Sequence, residues 1–180
     1  MTTYIFLADG FEEIEAITPI DILRRAGIDT ITVSISESLR VVGAHHIAVE
    51  ADCLFSQCDF AEADALILPG GQPGTTNLGA HQQLLDQLKR HFDAGKLTAA
   101  ICAAPSILGK LNLLNGKEAI CYPGVESALQ GATISENKVV KSGNTITAKA
   151  AGVAIEFALE VVATLKGNEE VQKIARAIYF

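Results

Sequence analysis

Residues 3–36, TYIFLADGFEEIEAITPIDILRRAGIDTITVSIS, set a strand, a helix and a second strand in immediate succession. Thr3 to Ala8 is an unbroken apolar run of strand length, the mark of a strand covered on both faces. Glu13 to Ala26 carries Ile17, Ile20 and Leu23 at helical spacing, which predicts an inward stripe, and Gly27 is its stop. Ile28 to Ser36 is the returning strand. A strand joined to a second one through a helix predicts parallel pairing.

The same alternation continues outward. Arg40 to Leu54 breaks into short β-like pieces, read as an excursion or hairpin off the main sheet. Ala65 to Leu68 is a short buried strand that enters Pro69-Gly70-Gly71-Gln72-Pro73-Gly74. A helix over His81 to Ala94 follows, with Leu84, Leu85, Leu88 and Phe92 on one stripe, and then a strand over Leu97 to Ile101. The next helix is predicted from just after Cys102 to about Leu114, with Pro105 in its first turn, where a missing N–H costs nothing. Ala119–Tyr122, Thr133–Ile134, Val139–Lys141 and Thr145–Ala148 read as short strands. Helices from Ala151 to Lys166 and around Val171 to Ile178 close a single domain over residues 1–180. The expected architecture is α/β, with a mostly parallel central sheet between two helical layers.

Composition narrows the function. The chain has 180 residues, 49% of them apolar, enough for a substantial core and against disorder. Fourteen Lys and Arg against 21 Asp and Glu give a formal charge of −7, which argues against nucleic acid or an anionic membrane as partner. Leu97 to Gly109 is the longest uncharged apolar stretch, well short of the roughly 20 residues that span a bilayer. No Lys or Arg precedes Arg24 and the first apolar run stops at Asp9, so a secretory signal is not expected and a cytoplasmic location is. Under that expectation Cys53, Cys58, Cys102 and Cys121 are reduced thiols rather than a disulfide framework. The spacing of Cys53 and Cys58 lacks the second pair or following His of a zinc site, and neither metal nor cofactor is expected.

In an open α/β sheet, ligands bind at the carboxyl ends of the strands, which directs attention to Asp9–Glu15, Pro69–Gly74 and Ile101–Pro105. Cys102 stands between a strand and a helix N-terminus, among Ala99, Ala100, Ala103 and Ala104, the layout of a nucleophile elbow. Free amides and the helix dipole there favour a thiolate, so Cys102 is expected to be the most acidic and most oxidisable thiol; a packed core cysteine is the alternative. Gly70-Gly71 matches no phosphate-binding pattern and is either a plain turn or a backbone donor. Beside Cys102, the Gly71 and Ala103 amides would form a two-donor oxyanion hole. Glu12 and Glu13 read as acidic residues complementing the helix dipole. Glu15, flanked by Ile14, Ala16 and Ile17, is either another such residue or a desolvated carboxyl that holds its proton and acts as general acid or base. His45, His46, His81 and His91 read as surface or packing residues, with the first two on opposite faces of a β-like piece.

At these residues the sequence resembles the ThiJ/PfpI superfamily, in the branch of the human Parkinson-linked protein DJ-one and bacterial YajL. The resemblance rests on LADGFEEIE (7–15), DILRRAG (21–27), LPGG (68–71), AAICAAP (99–105), SEN (135–137) and EFAL (156–159), in this order and nearly end to end. It implies a flavodoxin-like sandwich, a homodimer and an oxidation-prone cysteine. It assigns Cys102 as nucleophile, Glu15 as protonated partner, and the Gly71 and Ala103 amides as oxyanion donors. Three positions depart from the pattern. Ala103 replaces the His that follows the cysteine in the protease-like branch, Tyr122 replaces a His of human-type members, and Ala150-Ala151-Gly152-Val153 replaces Gly-Pro-Gly-Thr. Tyr122, with a reference pKa of about 10, is a poor base at neutral pH. The function expected is a cofactor-independent, cysteine-dependent glyoxalase or deglycase acting on small carbonyls such as methylglyoxal. The alternatives are a redox-sensing, chaperone-like protein responding to oxidative stress through Cys102, and a cysteine amidase or protease, which lacks a His base here.

Overall fold

Neighbouring strand residues alternate between two cores in the computed structural model, which covers residues 1–180. From β1 (Thr2–Leu7), Ile5 and Leu7 enter one core while Tyr4 and Phe6 enter the other. In β6 (Ala65–Leu68), Ala65 and Ile67 separate in the same way from Leu66 and Leu68. This explains the unbroken apolar runs, since both faces of the sheet are covered. One layer holds α1 (Glu13–Arg25), α5 (Ala154–Lys166) and α6 (Asn168–Ile178); the other holds α2 (Gly74–Ala80), α3 (Gln82–Asp93) and α4 (Pro105–Lys110).

The seven-stranded sheet has the order β10-β11-β7-β6-β1-β2-β5, with β2 at Asp29–Ser34, β5 at Cys53–Leu54, β7 at Leu97–Ile101, β10 at Val139–Ser142 and β11 at Thr145–Ala148. All neighbours run parallel except β10 and β11. This is the flavodoxin-like fold, and its strand order reverses between β1 and β6, which opens a crevice at their carboxyl ends. The predicted excursion is an antiparallel ribbon of β3 (Arg40–Val42) and β4 (Ala48–Glu50), and β8 (Glu118–Ala119) pairs with β9 (Thr133–Ile134) apart from the main sheet. No helix is long and apolar enough to cross a membrane.

Several details differ from the sequence reading. Ile17 is 43% exposed, because α1 turns Ala16, Ile20 and Leu23 inward, and Ile17 lies 100° round the helix from Ala16. At the other end of α1, Gly27 adopts φ +65° and the Ile28 N–H reaches back to the Leu23 carbonyl at 3.0 Å, ending the helix as expected. The helix after Cys102 ends at Lys110, since Gly109 packs against the backbone of Ala128 and Leu129 and Asn112 takes a left-handed φ of 61°. Before α3 there is a further helix, α2, hidden by its Gly, Thr and Asn content. His45 and His46 occupy a turn rather than a strand, with φ +66° at His46. Cys53 and Cys58 are joined as a disulfide, correcting the reading of four free thiols; the 3-10 turn Phe55–Gln57 folds one back to the other.

Candidate active site

Three strand ends converge at the crevice. The loop after β1 and the loop after β6 are bonded to each other, Glu12 N–H to the Gly70 carbonyl at 2.9 Å and Gly74 N–H to the Gly10 carbonyl at 3.1 Å. A side chain at Gly71, whose φ is +90°, would strike the Glu12 amide, so the two loops approach this closely only with glycine there. Gly70 has a second reason: an added Cβ would come within 2.7 Å of both Cys102 Cβ and Glu15 Oε2.

Cys102 follows β7 directly and takes a left-handed φ of 64°, sparsely populated by non-glycine residues. Its backbone is held on both sides. Cys102 N–H donates to the Ala148 carbonyl at 2.9 Å, and the Cys102 carbonyl accepts the Tyr122 N–H at 2.7 Å. Held strain of this kind clusters at functional sites. The side chain is half-buried and meets the amides of Gly71 and Ala103, which both lower the thiol pKa, and the carboxyl of Glu15.

Glu15 is 1% exposed on the first turns of α1. Its Oε2 accepts the Gly70 N–H at 2.9 Å, and Oε1 is buried with no hydrogen-bond partner. Burial pushes its carboxyl up to about 7, against the lowering by Cys102 and the Gly70 amide, with the charge of Glu12 adding to the rise.

The structure thus brings Glu15, Gly71, Cys102 and Ala103 together. It leaves Tyr122 tied to Cys102 through its backbone, with a ring that is 49% exposed and a hydroxyl without a hydrogen bond. Burial and the carboxyl oppose the amides that favour a thiolate. Burial, the charge of Glu15 and the hydrogen bond to Glu15 push Cys102 up to about 12, above the value of about 11 to which burial raises Cys121. The reason lies in distances along the chain: α4 starts only at Pro105 and has six residues, so its dipole is weak beside a buried carboxylate in contact. With the carboxyl near 7 and the thiol near 12, the first negative charge that the pair acquires goes to Glu15.

Sequence reasoning missed Gly70 as the donor to Glu15 and the Ala148 carbonyl as the anchor of the elbow, since backbone partners carry no residue signature. It also misread Glu13. That residue is 7% exposed, and its carboxylate accepts the His45 N–H at 2.8 Å and contacts His45 Nδ1 at 2.8 Å, tying the turn at 43–47 to α1. Glu12, Glu13 and His45 are the group whose donor atoms could hold a metal, lying within 4.8 Å of one another, but the Glu13 oxygens are committed to that turn. No histidine touches Cys102: His81 Nδ1 caps α3 at the Leu84 N–H, and His91 is buried with Nε2 at 3.0 Å from the Leu97 carbonyl.

A flavodoxin-like sandwich with a strained cysteine elbow facing a buried carboxyl defines a class of cysteine-centred α/β proteins. Residues 1–164 match the DJ-1/PfpI family, and the chain belongs to that family. It is 35% identical to Protein dj-1beta of Drosophila melanogaster over 97% of this chain and 94% of that one. It is 30% identical to a protein named deglycase PYRAB04690 of Pyrococcus abyssi, over 92% of this chain and all of that one. Against Protein DJ-1 homolog B of Arabidopsis thaliana the identity is 33%, and the chain spans 39% of that longer protein. The structure of oxidised Toxoplasma gondii DJ-1 superimposes with a TM-score of 0.96 at 34% identity, covering 99% of this chain and 98% of that one.

Proposed function

We propose that this protein is a cysteine-dependent glyoxalase or deglycase acting on small reactive carbonyls such as methylglyoxal. The observation that carries the reading is Glu15: a buried carboxyl raised to about 7 and in contact with the one strained cysteine. A group poised near neutral pH serves as base and acid in turn. Its similarity to the Pyrococcus protein named a deglycase supports the same reading.

Cys102 Sγ attacks the aldehyde carbon while Glu15 takes the thiol proton, and the Gly71 and Ala103 amides stabilise the alkoxide. The proton returns to that oxygen, giving a hemithioacetal. Glu15 then removes the hydrogen on the former aldehyde carbon, and reprotonation at the adjacent carbon yields a lactoyl thioester. Water releases lactate and restores the thiol, so the net reaction is methylglyoxal plus water to lactate. In this glyoxalase cycle no leaving amine needs protonation, so a histidine is not required, and the absence of one at Cys102 disfavours an amidase.

Two further expectations belong to this reading. Ile14 and Ile17 project from α1 at 54% and 43% exposure, and Ile47 at 58% from the turn that Glu13 ties to that helix. We propose that this face forms an isologous homodimer contact. The second reading, a redox sensor with chaperone-like activity, is favoured by the likeness to an oxidised DJ-1 structure: two amides and a carboxyl around Cys102 would also hold a sulfinate. Lactate formation from methylglyoxal by wild type, Cys102→Ala and Glu15→Gln separates them. Lactate from wild type alone supports the enzyme; none from any, with Cys102 oxidation switching on suppression of client aggregation, replaces it with the sensor.

A further inference from the structure

Cys53 and Cys58 lie on β5 and just after it, at the edge of the sheet, and no part of the chemistry above uses them. We propose that they form a thiol–disulfide exchange site, separate from Cys102, that takes an anionic low-molecular-weight thiol or its disulfide.

Their placement does not depend on the bond between them. The turn at 55–57 is held by its own hydrogen bonds, Leu54 N–H to Gln57 Oε1 at 2.9 Å and Cys58 N–H to the Phe55 carbonyl at 3.3 Å. Phe55 anchors it by packing on Phe60 and Phe6, with ring centroids 5.0 and 6.1 Å away. The reduced dithiol therefore stays preorganised for closure. Both cysteines are half-buried, unlike Cys121 in the core, so reagents reach them.

The two sulfurs differ in surroundings. Cys58 lines two adjoining cavities of about 410 Å³ each, which share Phe60, Gln87 and Arg90, and Cys53 lines neither; each sulfur also faces a carbonyl, that of Leu54 at 3.3 Å for Cys58 and that of Thr32 at 3.9 Å for Cys53. Arg90 has no ion-pair or hydrogen-bond partner, an uncompensated cation on a chain of net charge −7. Lys96 adds a second cation to one cavity, with Nζ on the Ala61 carbonyl at 2.6 Å. Asp59 is the opposing charge at that cavity, and one of its oxygens accepts the Ala61 N–H at 3.0 Å. A carboxylate-bearing thiol would set its charge on Arg90 and its sulfur at Cys58.

The thiolate attacks Cys58 Sγ, the bond between the protein sulfurs breaks, and Cys53 leaves as a thiolate. A second thiolate then attacks the external sulfur of the mixed disulfide, releasing the small disulfide and Cys58 as thiolate. Two thiols are oxidised and one protein disulfide is reduced; the reverse reaction oxidises the dithiol with a small disulfide.

The test uses the whole chain carrying Cys102→Ala, equilibrated across glutathione and glutathione disulfide ratios, quenched with acid, labelled with maleimide and peptide-mapped. Cys53 and Cys58 are expected to lose labelling together in one two-electron step while Cys121 keeps it. Cys53→Ser should trap one glutathione on Cys58, and Arg90→Gln should slow reaction with glutathione disulfide by about threefold to tenfold while leaving the uncharged hydroxyethyl disulfide unaffected. Independent loss of the two labels, an adduct on Cys53 in place of Cys58, or equal effects of Arg90→Gln on both reagents would overturn the proposal. The coupled labelling is read in the parent protein, so a Ser variant that misfolds by circular dichroism does not protect the idea. With Cys102 absent, the result is independent of the carbonyl reading.

Discussion

Glu15 and Cys102 compete for one negative charge: burial raises the carboxyl to about 7 against a lowering by the thiol, and burial together with Glu15 raises the thiol to about 12. Groups coupled in this way titrate as a pair. The reactive thiolate is then made within the pair, by moving the thiol proton onto a carboxylate that has already ionised. Alkylation of Cys102 by iodoacetamide should therefore rise through about pH 7, where the pair acquires its first charge. In Glu15→Gln the base is gone and the rise should move upward, with roughly tenfold less reactivity at pH 7. A wild-type rise centred below pH 5 would mean that the thiol ionises first and would reverse the assignment.

Tyr122 tests whether anything else moves protons. Its hydroxyl is unpartnered and its ring is half exposed, so Tyr122→Phe is expected to keep most of any methylglyoxal activity. Glu15→Gln should lose on the order of 10² to 10⁴ of the rate, the usual contribution of a general acid or base. Lactate assays giving the opposite ranking would place the proton shuttle on Tyr122.

Gly70→Ala should be among the most damaging single changes at the site. Its added Cβ would sit within 2.7 Å of both Cys102 and Glu15, so the change forces the pair apart. We expect a loss of iodoacetamide reactivity and of lactate formation together, with the far-ultraviolet circular dichroism spectrum retained. A fully active Gly70→Ala protein would show that contact between Glu15 and Cys102 is not needed.

Two buried groups pull the pH dependence of stability in opposite directions. Glu15 is raised in the fold from 4.5 to about 7, so its contribution is complete below pH 4.5 and is lost as pH rises through 7, by roughly 3 kcal/mol. His91, lowered by burial from 6.5 to about 4, contributes above pH 6.5 and is lost as pH falls through 4, by a similar amount. Between them the wild type should be nearly level in urea unfolding from pH 5 to 6. Glu15→Gln should remove the alkaline loss and leave a protein that gains stability steadily over that range. A His91 resonance titrating near 6.5 would show that its burial is not maintained.

Ile14→Lys is expected to disrupt the proposed homodimer, since it places a charge on an apolar face without touching the core. Sedimentation at micromolar concentration should show a dimer for wild type and a monomer for the variant. A monomeric wild type would remove the homodimer from the reading.

The sheet and its two helical layers were legible in the sequence because they rest on local periodicity: apolar runs such as Thr3–Ala8 need cover on both faces, and Gly27 marks where the chain turns back. The residues now gathered at the crevice were legible too, as Cys102 at a strand end and Glu15 in an apolar stretch of helix. Their electrical relationship was not. Whether Cys102 is acidic depends on which charge lies against it at van der Waals range, and Glu15 reaches it from 87 residues away only after the β1 and β6 loops interlock through Gly70 and Gly71. The same holds for Cys53 and Cys58, which read as separate thiols in the sequence and are brought together by a short turn. Sequence by itself determined which faces are buried, because burial follows periodicity; only the tertiary structure decided that a buried carboxyl lies against the thiol, because electrostatic coupling falls off over a few ångströms and is set by contacts distant in the chain.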